Sequence, residues 1–392
     1  MTAKKWPPVR LMECVDLRAG FAFKSESFTD SVSDLPLVKG ENVGQGEILW
    51  SIAKRWPARD WEALTNFHLL PGDVVLAMDR PWVPAGLKWG FIREGDPKAL
   101  LVQRCARLRP ANGRIDQTFL RFVIGSPNFE NYLRPITTGV NVPHISGRQI
   151  LDFTVALPPL AEQRRIARIL SAYDELIENS RHRVRILERM ARALYREWFV
   201  ELRFPGYETV SPGASSRVIP QGWQVKKLGE ILELNYGKAL KKEHRRGGAC
   251  PVFGSSGVVG FHDERLVKGP GIILGRKGNV GTVFWSDDDF FVIDTAYFVT
   301  SSLPLRFLFY DLQTKNFVNG DAAVPGLSRH QAYSLETLVP PPHVLHRFCR
   351  LADDFERQGA TLRRQIENLR RTRDLLLARL LSGHMTLDDT AE

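Results

Sequence analysis

From Leu160 to about Val200 the chain contains neither proline nor glycine, and apolar or small residues recur every three or four positions. The series Ile166, Ile169, Tyr173, Leu176, Ser180, Val184, Leu187, Ala191, Leu194, Trp198 predicts a helix with a heptad seam and one four-residue stutter. Pro159 suits the first turn of a helix, where its missing N–H leaves nothing unsatisfied; Phe204-Pro205-Gly206 ends the run. A second seam, 182 residues on, reads Phe348, Leu351, Phe355, Gln358, Leu362, Ile366, Leu369, Arg373, Leu376, Leu380. It has Gln358 and Arg373 inside it, Gly359 beside it, and the same stutter at Leu362 and Ile366. A helix of about forty residues reaches ~60 Å at 1.5 Å per residue. Neither helix is apolar all round, so each must bury its stripe against something. Either each packs on its own globular region or the two pack on each other.

The remainder alternates short strand-like runs with Gly and Pro turns, among them Gly72–Met78, Gly271–Gly275, Gly281–Trp285 and Phe290–Asp294. It is also written twice. Trp6, Leu11, Glu13, Leu17, Gly20, Ala22 and Lys24 recur 217 residues later, without a gap, as Trp223, Leu228, Glu230, Leu234, Gly237, Ala239 and Lys241. Near the end of each half, Val142-Pro143, Ser146 and Gln149 recur 182 residues on as Val324-Pro325, Ser328 and Gln331, and Pro158-Pro159 recurs as Pro340-Pro341. A duplication whose first copy carries an insert accounts for both offsets. A duplicated unit in one chain favours pseudo-twofold symmetry, and with it an antiparallel coiled coil of the two helices. The fold class expected is α+β: two β-rich mixed regions, residues 1–157 and 223–339, separated by two long helices, residues 158–204 and 340–383. Residues 205–222 read as a Gly/Ser/Pro linker and 384–392 as a tail.

Hydrophobic residues at 43% and charged ones at 25% exclude a wholly disordered chain. No run of 18 apolar residues occurs, so no spanning helix is expected, and Met1–Pro8 lacks the apolar core of a signal peptide. Cys14, Cys105, Cys250 and Cys349 are far apart, which argues against a disulfide framework or a zinc finger and fits a reducing cytosol. Lysine and arginine total 54 against 44 acidic residues, a net charge of +10 that points to a polyanionic partner, nucleic acid first.

Catalytic constellations are not found. Gly275-Arg-Lys-Gly278-Asn-Val-Gly281 is not a phosphate-cradling P-loop, because the Lys-Ser/Thr ending and the following helix are missing; a strand–turn–strand hairpin presenting Arg276, Lys277 and Asn279 is expected instead. His343 and His346 stand three apart without Cys or carboxylate companions, so no metal site is expected there. Asp287-Asp288-Asp289 reads as a solvated turn, and the diprolines lack the polar residue that an amino-methyltransferase needs beside its target amine.

Binding signals are better. Lys238, Lys241, Lys242, Arg245 and Arg246 form a basic segment of the kind that contacts phosphates. Base reading needs Arg, Lys, Asn or Gln on stiff loops. The candidates are Lys39, Asn42, Arg80 and Asn141 in the first half and Arg276, Lys277, Asn279, Asn319 and Arg329 in the second, each with a turn or surface role as the competing explanation.

The stretch Leu157-Pro-Pro-Leu-Ala-Glu-Gln-Arg-Arg-Ile-Ala-Arg-Ile-Leu-Ser-Ala-Tyr-Asp174, continued through Leu187–Phe199, closely resembles the central conserved region of specificity (S) subunits of type I restriction-modification systems. Cys250–Glu264, Gly269–Gly281 and Asp294-Thr-Ala-Tyr-Phe298 are similar to a common target-recognition-domain pattern. The C-terminal copy departs from the pattern, with Pro342-His-Val-Leu-His346 where the first has Leu160-Ala-Glu-Gln-Arg164.

The resemblance implies a non-catalytic subunit whose two target recognition domains each read half of a bipartite, asymmetric DNA sequence. It implies that the helices act as a ruler and dock two methyltransferase subunits, with Leu160, Trp198 and Phe199 as contact candidates. Restriction subunits, up to two, complete the assembly. S-adenosylmethionine, ATP and Mg2+ would belong to those partners, and this chain would hold no cofactor, in a prokaryotic cytoplasm. A four-residue insert after Ser180 is then expected to lengthen the gap between half-sites. Two other classes stay open, a stand-alone DNA-binding regulator and a coiled-coil scaffold that does not bind DNA.

Overall fold

The computed structural model describes residues 6–84, 86–139, 142–206, 219–317 and 326–381. The chain forms two compact units, Met1–Asn179 with Gln365–Glu392, and Ser180–Arg364. Both are mixed α+β.

In the first unit the strands that matter below are β1 (Pro8–Arg10), β2 (Val15–Ala19), β3 (Leu35–Val38) and β4 (Val74–Ala77). They are followed by β5 (Trp89–Phe91), β6 (Ala99–Leu101), β7 (Cys105–Pro110) and β8 (Thr154–Ala156). The central sheet runs β2-β7-β4-β5, β1 pairs antiparallel with β8, and β3 lies parallel to β6. The second unit has β9 (Gln224–Lys227), β10 (Leu232–Tyr236), β11 (Cys250–Gly254) and β12 (Gly271–Gly275). After them come β13 (Val283–Ser286), β14 (Phe291–Val292), β15 (Ala296–Ser301) and β16 (Glu336–Val339). Its central sheet runs β10-β15-β12-β13, β9 pairs antiparallel with β16, and β11 lies parallel to β14. Strand for strand, this is the pairing order of the first unit.

The repeated sequence positions explain why the two copies fold alike. Leu17 pairs with Leu108 and Leu234 with Val299, so one register is kept in both sheets. The repeated glycines stand where the chain passes against neighbouring backbone: a Cβ on Gly20 would lie 2.3 Å from the Val102 carbonyl, and one on Gly237 would lie 2.2 Å from that of Ile293. No side chain fits there. β12 and β13 form the expected hairpin, with Leu274 opposite Val283.

The long helices are α1 (Leu160–Tyr195), continued by a π turn over Arg196–Val200, and α2 (Pro342–Leu381). Within the first unit, Ile166, Ala167 and Leu170 share a core with Leu377, Leu380 and Leu381, and Asp174 accepts from Arg373 at 2.7 Å. Within the second, Glu188 accepts from Arg363 at 2.7 Å, and Tyr195 and Phe348 pack with ring centroids 5.9 Å apart. Contacts that advance on one helix as they retreat on the other define an antiparallel pair in each unit. The same ends pack on the globular cores, so both arrangements weighed for the helices are realised together.

The seams need a correction. Leu176 is 55% and Leu351 37% exposed, and Gln358 is exposed, whereas Leu170, Ile177, Ala352 and Gly359 are buried. In α1 the buried line Gln163, Leu170, Ile177, Val184, Ala191, Trp198 is a strict heptad. A seam through Ile169 and Leu176 runs one residue too early, and that offset is the source of the apparent stutter. The same one-residue shift removes it from α2. The α2 start differs in chemistry rather than position. Gln163 is fully buried, accepting from Asp116 N at 2.7 Å and donating to Pro158 O at 2.8 Å, while Leu345 in the repeat fills its place with an apolar side chain.

No helix among the described residues is long and apolar enough to cross a membrane.

Gly359 is therefore a seam position, and the side-chain atoms nearest a Cβ there belong to the flexible Arg363 guanidinium, at 3.5 Å. Gly359→Ala should stabilise the protein by about 0.5–1 kcal/mol through helix propensity. A urea-denaturation midpoint that falls would show that the seam has no room for the methyl group.

Candidate nucleic-acid interface

In both units the central sheet ends in a turn tied to a distant segment. β4 runs into Met78-Asp79-Arg80, and Asp79 forms an isolated antiparallel bridge with His144. β12 runs into Arg276-Lys277-Gly278, and Lys277 forms the same bridge with Gly326. Ile145 N donates to Met78 O at 2.8 Å in the first unit, and Leu327 N donates to Arg276 O at 2.8 Å in the second. The tied segments contain the repeated Val-Pro and Ser positions found in the sequence. Ser146 caps the helix Gly147–Leu151 and exchanges hydrogen bonds with Gln149, a capping box that fixes the segment's exit.

On this shared frame the side chains differ. In the second unit Tyr236 and Tyr297 lie opposite each other on β10 and β15, with ring centroids 5.1 Å apart. The Arg329 guanidinium lies 4.0 Å and that of Arg276 5.0 Å from the Tyr236 ring. Tyr297 is 2% exposed; burial pushes its phenol up to about 12, so it keeps its proton and donates to Leu327 O at 3.1 Å. With Lys277, Gly326, Ser328 and His330 these residues line an open groove of about 480 Å³. Gly278 and Gly281 turn the loop through positive φ, and Asn279 between them is exposed.

In the first unit Ala19 and Ala106 are paired in the register that Tyr236 and Tyr297 occupy, and Met78 holds the place of Arg276. Gly147 holds the place of Arg329, each following its cap serine. The aromatic–arginine stack has no counterpart there. Instead Asp79 accepts from His144 at 2.5 Å and pairs with Arg104 at 2.8 Å. Arg80 is exposed with φ 45° and Arg104 has φ 68°, uncommon for residues with a side chain. Arg80 is a candidate the sequence names; Arg104 and Tyr236, which share these edges, are not. Neither belongs to a motif, and only strand pairing brings them to the edge.

The other candidates divide. Asn42 is withdrawn as a DNA contact: it is fully buried, accepting from Lys39 N at 2.8 Å and donating to Leu37 O at 3.1 Å, so both ends of its amide serve the turn. Lys39 is half-buried and pairs with Glu41 at 3.0 Å. Arg245 is also withdrawn, since its guanidinium donates to Val259 O at 2.6 Å and to Leu240 O, tying down its own loop. Arg246 is neutralised by Asp263 at 3.0 Å and Glu264 at 2.6 Å, which raise its pKa. Lys238, Lys241 and Lys242 are exposed, with no carboxylate among the described residues within 4 Å. Asn141 and Asn319 lie outside the described residues.

Trp198 and Phe199 are each 6% exposed and pack on Phe348 and Phe307 in the second unit's core, so they are not a docking surface. Apolar residues at a helix end suggest a protein contact, but here the chain covers them itself. Leu160 remains half-exposed. Asp287 accepts from Trp285 Nε1 at 2.6 Å, and Asp289 accepts from Gly269 N at 2.9 Å, as a turn requires. Among the described residues no cluster of His, Cys, Asp and Glu could hold a metal ion.

The family model for the type I restriction modification DNA specificity domain matches residues 3–189 and 220–340. The MjaVIII specificity subunit of Methanocaldococcus jannaschii is 31% identical over 189 residues, 48% of this chain and 44% of that one. The MjaIX specificity subunit of the same organism is 25% identical over 314 residues, 71% of each chain. The EcoAI specificity subunit of Escherichia coli is 34% identical over 173 residues, 44% of this chain and 28% of that one. The match thus spans less than half the length of two of these relatives. A crystal structure of a type I restriction-modification S subunit from M. genitalium superposes with a TM-score of 0.55 at 16% identity, over 98% of this chain and 97% of that one. At that identity the likeness is one of fold.

Asn42→Ala removes two buried hydrogen bonds and should lower stability by about 1–3 kcal/mol. The DNA preference of the folded fraction should stay as it was. Unchanged stability in a urea titration, together with an altered preference, would return Asn42 to the reading surface.

Proposed function

Because the chain belongs to the type I restriction modification DNA specificity family, we propose that it is the specificity subunit of such a system, a DNA reader that carries out no chemistry of its own. Each unit reads one half of a bipartite, asymmetric site in double-stranded DNA. Two methyltransferase subunits dock on the chain and methylate adenine N6 with S-adenosylmethionine. Up to two restriction subunits cleave with ATP and Mg2+. The complex works in a prokaryotic cytoplasm, and its cofactors belong to the partners.

One observation carries this reading: two sheets of the same register present the same bridged turn with different side chains on it. A common frame lets each unit approach a groove in the same way, and unlike side chains let the two half-sites differ. Lys238, Lys241 and Lys242 supply phosphate contacts, which set affinity and salt dependence but carry no sequence information. Lys39, Arg80, Arg276, Lys277, Asn279 and Arg329 address bases or adjacent phosphates. Leu160, at the start of α1, remains a candidate for partner docking.

Lys277→Ala combined with Asn279→Ala should alter one half of the methylated motif and leave the other intact. A change in both halves, or in neither, contradicts the division of labour.

The helices set the spacing. Their strict heptads mean that a length change must preserve register, so the informative variant carries seven extra residues after Asn179 and seven after Arg364. A heptad adds about 10 Å of helix, close to three base pairs. The unspecified gap in the methylated motif should grow by about three base pairs, and an unchanged gap contradicts the ruler.

A further inference from the structure

Two guanidinium groups stand on one exposed phenol ring in the second unit, with no acid among the described residues paired to them. Tyr236 is 52% exposed and carries Arg329 at 4.0 Å and Arg276 at 5.0 Å from its centroid. No carboxylate among the described residues lies within 4 Å of either arginine. Elsewhere in the same unit arginines are paired: Arg306 donates to Asp353 at 2.8 Å, and Arg246 pairs with Asp263 and Glu264. Two like charges held together on one ring suit a ligand with paired acceptors.

We propose, building on the DNA-reading role above, that Arg329 is a specificity determinant of the second unit and reads a guanine through its O6 and N7 atoms. The Nε atom of Arg329 is buried without a partner, so Nε faces the protein and the terminal nitrogens remain for the groove. Stacking on Tyr236 holds the guanidinium plane, as bidentate pairing with a coplanar acceptor pair requires. Arginine has only donors. Guanine offers two adjacent acceptors in the major groove, whereas adenine and cytosine present an amino donor and thymine a single acceptor.

A phosphate could also take a guanidinium fork, but a phosphate contact is equally useful to both units. The position of Arg329 is not shared: the first unit has Gly147 there, and Ala19 and Ala106 where the two tyrosines stand. That variation belongs to base reading.

The test is the methylated motif in cells expressing the methyltransferase subunit with either the wild-type chain or Arg329→Gln. A glutamine amide has a donor and an acceptor, which suit adenine rather than guanine. The variant should lose the requirement at one guanine in one half-site, turning it to adenine or to any base, with a discrimination change of about ten- to a hundredfold. All bases unchanged, or a changed position that is not guanine, overturns the proposal. If methylation by the variant is too weak to map, binding of the purified complex to duplexes substituted at each guanine decides. Tolerance at one guanine supports the proposal, and uniform weakening on every duplex assigns Arg329 to a phosphate and overturns it. A wild-type chain that yields no bipartite motif overturns the specificity-subunit reading itself, a separate result.

Discussion

The bridge between the turn at the end of each central sheet and the Val-Pro segment far along the chain governs the rest of the site. Asp79 to His144 and Lys277 to Gly326 are main-chain contacts, so they hold whatever side chains are present. They tie the turn to a short helix and fix the sheet edge in space. A residue on such an edge can change from methionine to arginine, or from alanine to tyrosine, without the frame changing. That is how one fold, written twice, presents two surfaces of different chemistry.

Charge is sorted by the same frame. A net charge of +10 says that cations are in excess, but not which ones are available. Arg109 is engaged by Asp73 at 2.6 Å, Arg121 by Asp174 at 3.0 Å, and Arg245 by backbone carbonyls. These hold the fold together. The lysines between 238 and 242 and the arginines on Tyr236 have no such engagement among the described residues, which leaves them available for the polyanion contacts proposed above.

Much of the architecture was legible in the sequence because it rests on periodicity. The two offsets exposed the duplication, the Pro- and Gly-free runs exposed both helices, and the glycines flanking Arg276 to Asn279 marked a hairpin. What was lost lay within one residue of what was found. Ile169 and Leu176 are as apolar as Leu170 and Ile177, and the stutter they require was the one sign in the sequence that the seam runs a residue later, as the burial shows. Asn42, Trp198 and Phe199 misled for a common reason. Residue type suggests a contact, but whether the chain itself supplies that contact depends on pairings far apart in sequence. Tyr236, which neither a motif nor a charge announces, became visible only when strand register set it beside Tyr297 and under two arginines.

The function proposed for this chain is to give a methyltransferase its sequence preference through two unlike readers. The most direct measurement is modified-base sequencing of DNA from cells that express a cognate type I methyltransferase subunit with and without the chain. N6-methyladenine is expected at a two-part motif with a fixed gap and unlike halves, present only when the chain is present. Methylation that is absent with a folded partner in the cell, or that occurs without the chain, would contradict it.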